Sequence, residues 1–534
     1  MDFSCYRKKY FGSNFWKMTK LFISCCYRDL LFNTNALFTY ILYFVCLSCV
    51  GFGILKALKP RTNQLAPRNI DLFYTSVSAA TVSSMSAVEM EVFSNSQLMS
   101  MTFLMFAGGE IFVSMLILRL NALKMARTSR VEGKTEPPVS DSPSTTRYQT
   151  SSGFDQIELN VVKVRDEMGS SPSHQSLNDE SVLKHDSIKF LSFVALGYLL
   201  VVQVFGIASV LIYLTLVTGA ENVLRNKGIK TFTFALFTVV STFSSCGFVP
   251  TNENMIVFRK NSGLLLILIP QILLGNTLFP SALRVVLWIV GTKNMRPEPK
   301  YLLESNASHI GYMHLLSSLQ SLLLAATVFG FLLIGFVLFS SMEWNTPGLE
   351  GLNTYQKVVC ILFLCTNARH SGESIVDLST IAPAILVFFV IMMYLPPYTS
   401  FLPVAKDEQI PSKCEAKEKK RNTVNQNFVF SQLSYLAIFI ILICITERKS
   451  LKEDPLNFSV LNITFEVISA YGNVGFTTGY SCDRQLRADP NCVNKWYGLS
   501  GKWSDEGKII LIIVMFFGRL KQFNMKGGGA WMLS

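Results

Sequence analysis

Four short segments of the chain share a pattern of small and hydroxyl-bearing residues, and each lies between two long apolar segments. They read SAATVSS, STFSSCG, TNARHSG and SAYGNVG, and they end on Ser84, Gly247, Gly372 and Gly475. A hydroxyl residue stands six positions earlier in every copy: Ser78, Ser241, Thr366 and Ser469. Internal repeats indicate the architecture of a chain before any other feature. Because rings of backbone carbonyls replace the hydration shell of a cation, the pattern predicts a four-part cation pore.

The residue type at the end of each segment has a physical reason. Glycine reaches backbone angles that other residues adopt only at a cost, so its carbonyl is free to face a pore. A side chain at this position narrows the ring and changes how an ion is coordinated. Ser84 is the departure from an all-glycine ring. Its Cβ and hydroxyl are expected to perturb a potassium-sized site more than a site for the smaller sodium ion.

Composition indicates a membrane protein. Half of the residues are hydrophobic, 16% are charged, and the chain contains 41 Phe. The mean hydropathy of +0.35 also lies outside the range typical of soluble proteins. The formal charge of +12 is scattered and collects near the ends of apolar segments, with no basic and aromatic face for a phosphate backbone. No nucleic-acid partner is therefore expected, and the predicted partner surface is lipid.

Eight apolar segments are candidate membrane spans, for which about 20 residues are required. They are Ala36–Leu55, Leu98–Leu118, Phe190–Val217, Gly263–Val290, Leu315–Phe339, Ile381–Phe401, Phe428–Ile445 and Lys508–Phe523. Four shorter apolar segments precede the small residues, at Asp71–Ala80, Thr231–Val240, Tyr355–Cys365 and Asn462–Ser469. These are predicted half-helices of re-entrant loops, since backbone at membrane depth must be buried in protein or line a cavity. Their negative C-terminal dipole ends would favour a cation if they point to the pore centre.

The predicted fold is an all-α membrane protein of four helix, re-entrant pore loop, helix repeats in a pseudo-fourfold arrangement with eight transmembrane helices. The predicted units are a cytoplasmic N-terminus (1–33), repeat 1 (34–122, pore loop 71–95), a linker (123–189), repeat 2 (190–292, pore loop 231–255), a linker (293–312), repeat 3 (313–403, pore loop 355–378), a linker (404–427) and repeat 4 with the C-terminus (428–534, pore loop 461–482). Basic residues in the N-terminus and the 413–421 segment favour a cytoplasmic location for the termini and linkers. The pore loops would then face outward.

The chain resembles the plant HKT transporters of the Trk/Ktr/HKT superfamily over nearly its full length. The resemblance rests on the segments SVSAATVSSMSAVEMEVFSN, STFSSCGFVPTNENMIVFRKNSGL, IPQILLGNTLFP, ARHSGESIVDLS, MMYLPPY and VISAYGNVGFTTGYSC. It implies a pseudo-tetrameric pore with Ser84, Gly247, Gly372 and Gly475 as the cation-coordinating filter positions. Serine at the first position resembles the sodium-preferring subgroup. The resemblance also implies transient sodium or potassium at the filter, no cofactor, a plasma-membrane location, and homodimers with one pore per chain.

Charged residues within or beside the apolar segments are further candidates. Arg519 follows IILIIVMFFG, and a charge at that depth marks a pathway or a partner. The resemblance implies a barrier in the pore below the filter that limits inward rectified flux, whereas the alternative is snorkelling at the cytoplasmic end. Glu110 is also intramembrane, and pairing with Arg519 and capping of a helix both remain open. Arg369 is expected to brace its loop by pairing with a carboxylate.

Several residues have both a functional and a structural interpretation. Glu89, Glu91 and Glu253 either line the outer mouth of the pore and attract cations or accept hydrogen bonds from nearby backbone amides, and the same holds for Glu373 and Asp377. Pro270, Gly275 and Pro280 are expected to bend the fourth crossing.

The predicted outer loop after the fourth filter segment carries two further features. Cys482 and Cys492 share this loop, where a disulfide is permitted. Asn457 and Asn462 head N-x-[ST] sequons on the same side and are candidate glycosylation sites.

The sequence therefore predicts passive, sodium-selective cation transport. A potassium-permeable or sodium–potassium coupled transporter is the alternative within the same class. An intramembrane enzyme is the alternative from another class, but it requires a cluster of catalytic groups. The five histidines are scattered, at positions 174, 185, 309, 314 and 370, and do not suggest one.

Overall fold

The computed structural model describes residues 36–61, 67–132, 174–294, 297–305, 310–399, 432–486, 490 and 492–524. The predicted N-terminal unit 1–33 and the linker 404–427 lie outside the described residues, as does the middle of the linker 123–189. The described residues form helices and connecting loops with no strand, and one isolated antiparallel bridge joins Tyr480 to Lys495.

The first repeat contains two long helical segments on either side of a short one. Its helices are α1 (Ala36–Ala57), α2 (Asn69–Ala80), α3 (Asn95–Gly108) and α4 (Glu110–Glu132). Helices α3 and α4 together have the length and apolarity of one span, bent by 54° at Gly109. The Ser94 side chain and Gln97 form a capping box that fixes the start of α3.

The second repeat has the same order with one additional surface helix. It comprises α5 (His174–Leu216), α6 (Thr218–Asn226), α7 (Thr231–Phe243), α8 (Ser262–Gly275) and α9 (Phe279–Asn294). Pro270 lies inside α8, and the 82° bend occurs beyond it, between Gly275 and Phe279. The predicted bend of this crossing is therefore present, but it is located at Gly275 and the three residues that follow.

The third and fourth repeats follow a short connecting helix, α10 (Pro297–Glu304). Repeat 3 contains α11 (Ser318–Glu343), α12 (Thr354–Asn367) and α13 (Pro383–Tyr394). Repeat 4 contains α14 (Gln432–Thr446), α15 (Arg448–Glu453), α16 (Val460–Gly472) and α17 (Asp505–Asn524). Short 3₁₀ turns complete the structure, at Met90–Val92, Asn254–Phe258, Pro347–Leu349, Leu378–Thr380, Cys482–Arg484 and Leu499–Lys502.

The membrane-spanning character of these helices follows from length and apolarity. Among the described residues, three helical segments are long and apolar enough to cross a bilayer by themselves: Phe38–Ala57, Val182–Leu216 and Ser318–Glu343. The count becomes five if each bent pair forms one span. Helices α13 and α14 are apolar but shorter. The chain is thus an all-α, multi-pass membrane protein, and the count of eight crossings stays a prediction.

Each predicted half-helix is a helix in the structure: α2, α7, α12 and α16. They run for 12 to 14 residues, which is too short to span. All four are largely buried, although Thr231, Thr354 and Val460 begin three of them beside polar loops. A short half-helix at this depth is stable because the surrounding spans bury its sides.

The hydrophobic core lies between neighbouring repeats. One cluster joins repeats 2 and 3 through residues such as Phe234 and Phe363, and a second joins repeats 1 and 4 through Tyr74 and Met515. A third cluster joins repeats 1 and 2, and it contains Val82 of repeat 1 together with Cys246 and Phe248 of repeat 2. The apolar contacts therefore arrange the repeats around a common centre.

Three glycines allow the second crossing of a repeat to approach the C-terminal end of its own half-helix. A Cβ at Gly108 would collide with the Ala80 carbonyl oxygen, one at Gly275 with that of Phe243, and one at Gly518 with that of Tyr471. Only glycine permits such close backbone approach. These contacts fix the depth of each half-helix and therefore the position of the loop that follows it.

Candidate functional site

The four predicted filter positions share one unusual backbone conformation. Their φ angles are positive, at 53° for Ser84, 82° for Gly247, 67° for Gly372 and 97° for Gly475. Glycine adopts such angles freely, whereas a residue with a Cβ does so at a cost. The same local geometry therefore recurs once in each repeat, directly after the half-helix.

Contacts between the loops form a closed ring. A Cβ at Gly247 would collide with the carbonyl oxygen of Ser371, and one at Gly372 would collide with that of Val474. A Cβ at Gly475 would collide with the side chain of Ser84. Val82 of the first loop and Cys246 of the second loop lie in one cluster of buried apolar side chains. Each filter loop thus touches the next in the order 1, 2, 3, 4 and back to 1.

Ser84 is the ring member that carries a side chain. It is 7% exposed, and its Cβ and Oγ occupy the space against Gly475 where a second side chain would not fit. The ring is therefore asymmetric: three positions present backbone alone, and one adds a methylene and a hydroxyl.

The hydroxyl residues of the sequence pattern act mainly through their backbone. The carbonyl oxygens of Ser78, Ser241 and Ser469 accept hydrogen bonds from the amides of Ser83, Cys246 and Val474 at 2.8, 2.8 and 3.0 Å. In the third repeat the acceptor is instead Asn367, which bonds the Gly372 amide at 3.1 Å. The Ser469 side chain adds a bond from the Gly475 amide at 3.0 Å. These bonds hold the left-handed segment at the half-helix end.

Two buried carboxylates brace the loops from behind. Glu373, which follows the third filter position, is fully buried and accepts a hydrogen bond from the Thr242 hydroxyl of the second half-helix. Glu466 lies within half-helix α16, is also fully buried, and accepts a bond from the Thr477 hydroxyl. Sequence reasoning missed Glu466. Its signal was a carboxylate inside the apolar run NITFEVISAYG.

A cavity, here called the inner cavity, lies where the half-helices end. The residues directly after all four half-helices contribute to its lining: Val82, Ser244, Ser245, Arg369 and Asn473. The breaks or ends of three crossings contribute Glu110, Asn276 and Leu395, and the last crossing contributes Arg519 from within α17. The C-terminal ends of the four half-helices therefore converge on one space, and their dipoles place negative potential there.

Arg519 is buried beside the inner cavity and does not snorkel. Its side chain is 2% exposed, donates a hydrogen bond to the carbonyl oxygen of Gly108, and stacks over the Phe44 ring at 5.6 Å. The snorkelling alternative is therefore wrong. Lys521 also lines the cavity, where it donates to the Tyr471 hydroxyl and lies 4.3 Å from the centre of that ring.

Arg369 braces its loop through carbonyl oxygens rather than through a carboxylate. It donates to the carbonyls of Met392, Pro396 and Pro397 at 3.2, 2.6 and 3.4 Å. It also lies over the Phe331 ring at 5.0 Å. The prediction that Arg369 pairs with a carboxylate is therefore wrong, because the bend after Tyr394 leaves backbone carbonyls free to accept its hydrogen bonds.

The predicted outer-mouth acids are partly neutralised. Lys227 bonds both Glu91 and Glu253 at 2.6 Å, and Glu91 also accepts from the backbone amide of Asn252 at 3.0 Å. Glu89 accepts from the Asn252 side chain at 3.2 Å. Burial lowers the pKa of Lys227, but its two carboxylate partners raise it more, so the net shift is upward. Lys227 is therefore charged at neutral pH and holds the loops of repeats 1 and 2 together.

The outer loop of the fourth repeat is cross-linked, and its sequons are buried. Cys482 and Cys492 form a disulfide. Asn457 is fully buried, and its Nδ2 donates to Asp454 and to the Ser481 carbonyl at 2.8 and 2.9 Å. The Asn462 Nδ2 donates to the Asn457 carbonyl at 2.9 Å. The structure therefore contradicts the glycosylation prediction for both residues, because neither amide nitrogen is free to carry a glycan.

Comparison with known proteins identifies a matching family. Residues 166–525 match the TrkH family, described as a cation transport protein. Cation transporter HKT1;3 of Oryza sativa subsp. japonica is 47% identical over 94% of this chain and 92% of its own length. Sodium transporter HKT1 of Arabidopsis thaliana is 47% identical over 90% of this chain and 91% of its own length.

Solved structures include a distant similarity. The potassium transporter TrkH of Vibrio parahaemolyticus is 13% identical, with 92% of this chain and 83% of that chain covered and a TM-score of 0.47.

Proposed function

Since the chain belongs to the HKT-type cation transporters of the TrkH family, we propose that it passes sodium ions passively through the ring of Ser84, Gly247, Gly372 and Gly475. The family and the relatives are cation transporters rather than enzymes, in agreement with the sequence prediction. The substrate is accordingly a cation, and the family implies no cofactor. Our proposal includes the selectivity for sodium, the passive mechanism and the location in the plasma membrane.

The observation that carries the sodium proposal is the side chain of Ser84 inside an otherwise backbone-lined ring. The ring has no spare space at this point, because Ser84 already fills the gap against Gly475. A potassium ion needs a wider ring of oxygens than sodium, and a side chain that intrudes on one quadrant favours the smaller ion. The Arabidopsis relative is named a sodium transporter, which agrees with this assignment.

The passive mechanism is supported by the form of the site. The ring lies between an outer mouth and the inner cavity, and both ends are lined by polar groups of the same chain. Ion flow through such a path follows voltage and concentration gradients. Arg519, buried beside the inner cavity, is proposed as the barrier to flow below the ring. The proposal also includes homodimers in which each chain keeps its own pore.

The reversal potential of the expressed protein tests the proposal. The chain is expressed in oocytes, and external sodium is exchanged for potassium under voltage clamp. A reversal potential that follows sodium alone supports the proposal, whereas equal shifts with potassium favour the potassium-permeable or coupled alternative. The absence of any cation-dependent current in protein that reaches the surface would contradict transport itself.

A Ser84→Gly variant tests whether Ser84 sets the selectivity. Removal of the side chain restores a symmetric ring, so this variant should gain potassium current relative to sodium. Gly53→Ala serves as a matched control, since a Cβ at Gly53 meets no atom within 4 Å among the described residues. A Ser84→Gly variant with unchanged selectivity would overturn the role of Ser84.

A further inference from the structure

The side chains that line the inner cavity carry an excess of positive charge, which repels a passing cation. Arg369, Arg519 and Lys521 line it together with one carboxylate, that of Glu110. A sodium ion that leaves the filter therefore enters a space in which fixed positive side chains outnumber negative ones. The half-helix dipoles offset part of this repulsion, and further oxygen ligands in the cavity would offset more, because like charges interact strongly away from bulk water.

Two buried amide oxygens in the same cavity have no hydrogen-bond donor among the described residues. Asn473 is 3% exposed, and its Nδ2 donates to Ser83 Oγ and to the carbonyls of Ala470 and Met515 at 2.7, 3.4 and 3.2 Å. Carbonyls only accept, so these bonds fix the orientation of the amide. The Oδ1 atom then has no donor in the part of the chain that the structure describes.

Asn276 repeats this arrangement from the second repeat. It is 8% exposed and lies at the bend between α8 and α9, and its Nδ2 donates to Ser245 Oγ at 2.9 Å. Its Oδ1 likewise meets no donor within the described ranges. A buried acceptor without a donor costs free energy unless a water molecule or a cation satisfies it. The two oxygens come from different repeats and line one cavity.

Glu110 supplies the formal charge. It begins α4 at the bend of the first repeat, and its side chain is 12% exposed. Its Oε1 accepts a hydrogen bond from the Tyr398 hydroxyl at 3.1 Å, and the His314 Nε2 lies 3.8 Å away. These contacts, both from the third repeat, hold the carboxylate at the cavity.

We propose that Glu110, together with the side-chain oxygens of Asn276 and Asn473, forms a binding site for a partly hydrated monovalent cation in the inner cavity. Amide and carboxylate oxygens are suitable ligands for hard cations such as sodium. The site would receive the ion as it leaves the filter and offset the positive side chains around it. The identity of the ion as sodium rests on the proposed function, but the site itself requires only a monovalent cation.

Voltage-clamp currents of two neutral variants test the site. Glu110→Gln and Asn276→Ala are compared with Glu350→Gln and Asn261→Ala, which remove the same groups elsewhere. Glu350 is exposed on the filter side, and the Asn261 side chain makes no capping bond at the start of α8. With currents normalised to surface protein, the cavity variants should lower inward sodium conductance about tenfold, and the controls should match wild type. Asn276→Ala that behaves as Asn261→Ala would overturn the site.

A double-mutant cycle separates ion binding from simple neutralisation of Arg519. If Glu110 only offset the charge of Arg519, Glu110→Gln would have no effect in an Arg519→Gln background. The proposed site predicts that Glu110→Gln still lowers conductance in that background. Loss of the effect there would contradict the proposal.

A binding measurement covers the case in which the variants fail to reach the surface. The wild-type protein is imaged by cryo-electron microscopy with sodium, and then with N-methyl-D-glucamine, as the sole cation. The site predicts density among the three side chains with sodium that disappears without it, and identical density in both conditions would overturn it. A wild-type reversal potential that follows potassium would contradict the proposed sodium function while leaving the cavity site testable with potassium.

Discussion

At the residue level, backbone conformation explains why three of the filter positions are glycine. Each position has a positive φ and lies in contact with the next loop of the ring. Ser84 adopts the same conformation with a Cβ, which costs about 1–2 kcal/mol for a non-glycine residue. Strain of this size is retained at functional sites where the surrounding structure holds it. The strain at Ser84 therefore supports its assignment as a candidate functional position.

Gly247→Ala is expected to disrupt the ring. The added Cβ would collide with the carbonyl oxygen of Ser371 in a conformation that alanine also disfavours. Inward cation current normalised to surface protein should fall by about tenfold or more. Gly53→Ala, which adds the same methyl group on α1, should leave the current unchanged. Near wild-type current from Gly247→Ala would show that this position does not form the ring.

At the level of elements, covalent and ionic cross-links outside the ring hold the loops. The disulfide between Cys482 and Cys492 closes a loop with a sequence separation of 10 residues, directly after the fourth filter segment. Lys227 contacts Glu91, which lies 136 residues away in sequence, and so joins the loops of repeats 1 and 2. Both join loops outside the ring, so both stabilise the loop positions rather than the spans.

Loss of the disulfide should destabilise the protein without changing its selectivity. For a loop of this size the expected loss is about 3 kcal/mol, mainly because the cross-link restricts the unfolded chain. Cys482→Ser should therefore lower the melting temperature of purified protein, and reducing agent should have no further effect on this variant. Cys46→Ser, which removes an exposed free cysteine, is the control. Equal melting temperatures for Cys482→Ser and wild type would contradict the prediction.

Replacement of Lys227 should make the outer mouth more negative. In Lys227→Gln the carboxylates of Glu91 and Glu253 lose their shared cation, so local cation concentration and inward conductance at low ionic strength should rise about two- to fivefold. The difference should shrink in high salt because exposed charges are screened. Lys230→Gln removes an exposed lysine nearby and serves as the control. Identical currents for the two variants at low salt would show that the mouth charges do not matter.

The pH dependence of this ionic contact has a defined sign. The pKa of Lys227 is raised in the folded protein, so its contribution to stability is complete below the ordinary lysine value of 10.5. That contribution is lost only as pH rises through the higher folded pKa. The effect of Lys227→Gln on conductance should therefore stay constant across neutral pH. A marked change of this effect between mildly acidic and mildly basic solutions would contradict the prediction.

At the level of the whole molecule, a single chain builds a closed ring by repeating one unit four times. The clusters between neighbouring repeats bury the sides of the half-helices, and the loops touch in cyclic order. Since one chain supplies all four quarters, each quarter is free to differ, as Ser84 and the buried carboxylate Glu373 show. A symmetric assembly of four identical chains could not place one serine among three glycines.

Labelling of introduced cysteines tests the predicted orientation of the whole molecule in the membrane. A cysteine introduced as Glu350→Cys lies on the filter side and should react with a membrane-impermeant maleimide applied to intact cells. Lys293 is exposed at the C-terminal end of α9, which is predicted to lie on the cytoplasmic side. Lys293→Cys should therefore react only after the membrane is permeabilised. Wild-type protein is the control, because it shows how much maleimide reacts with the native cysteines. The reverse pattern would invert the predicted topology.

The sequence by itself determined the repeat and the half-helices, and it predicted the four positions that we propose as the filter. These features depend on local composition: apolar run length, a small residue at a fixed distance, and glycine where a positive φ is needed. The family was equally accessible, because long motifs around the filter are contiguous in the chain. Local pattern was enough to select Ser84 and the three glycines, whereas their arrangement in a ring depends on contacts between the repeats.

Only the tertiary structure decided which side chains meet. Lys227 neutralises Glu91 from another repeat, Arg519 is buried against Gly108 from a distant segment, and Asn457 turns inward despite its sequon. Each outcome depends on contacts between residues far apart in sequence, which local spacing does not encode. Charge marked Glu91 and Arg519 as candidates and a sequon marked Asn457, but burial and the identity of the partner decided their roles. The physical reason is that the free energy of a buried polar group depends on its partners more than on its own type.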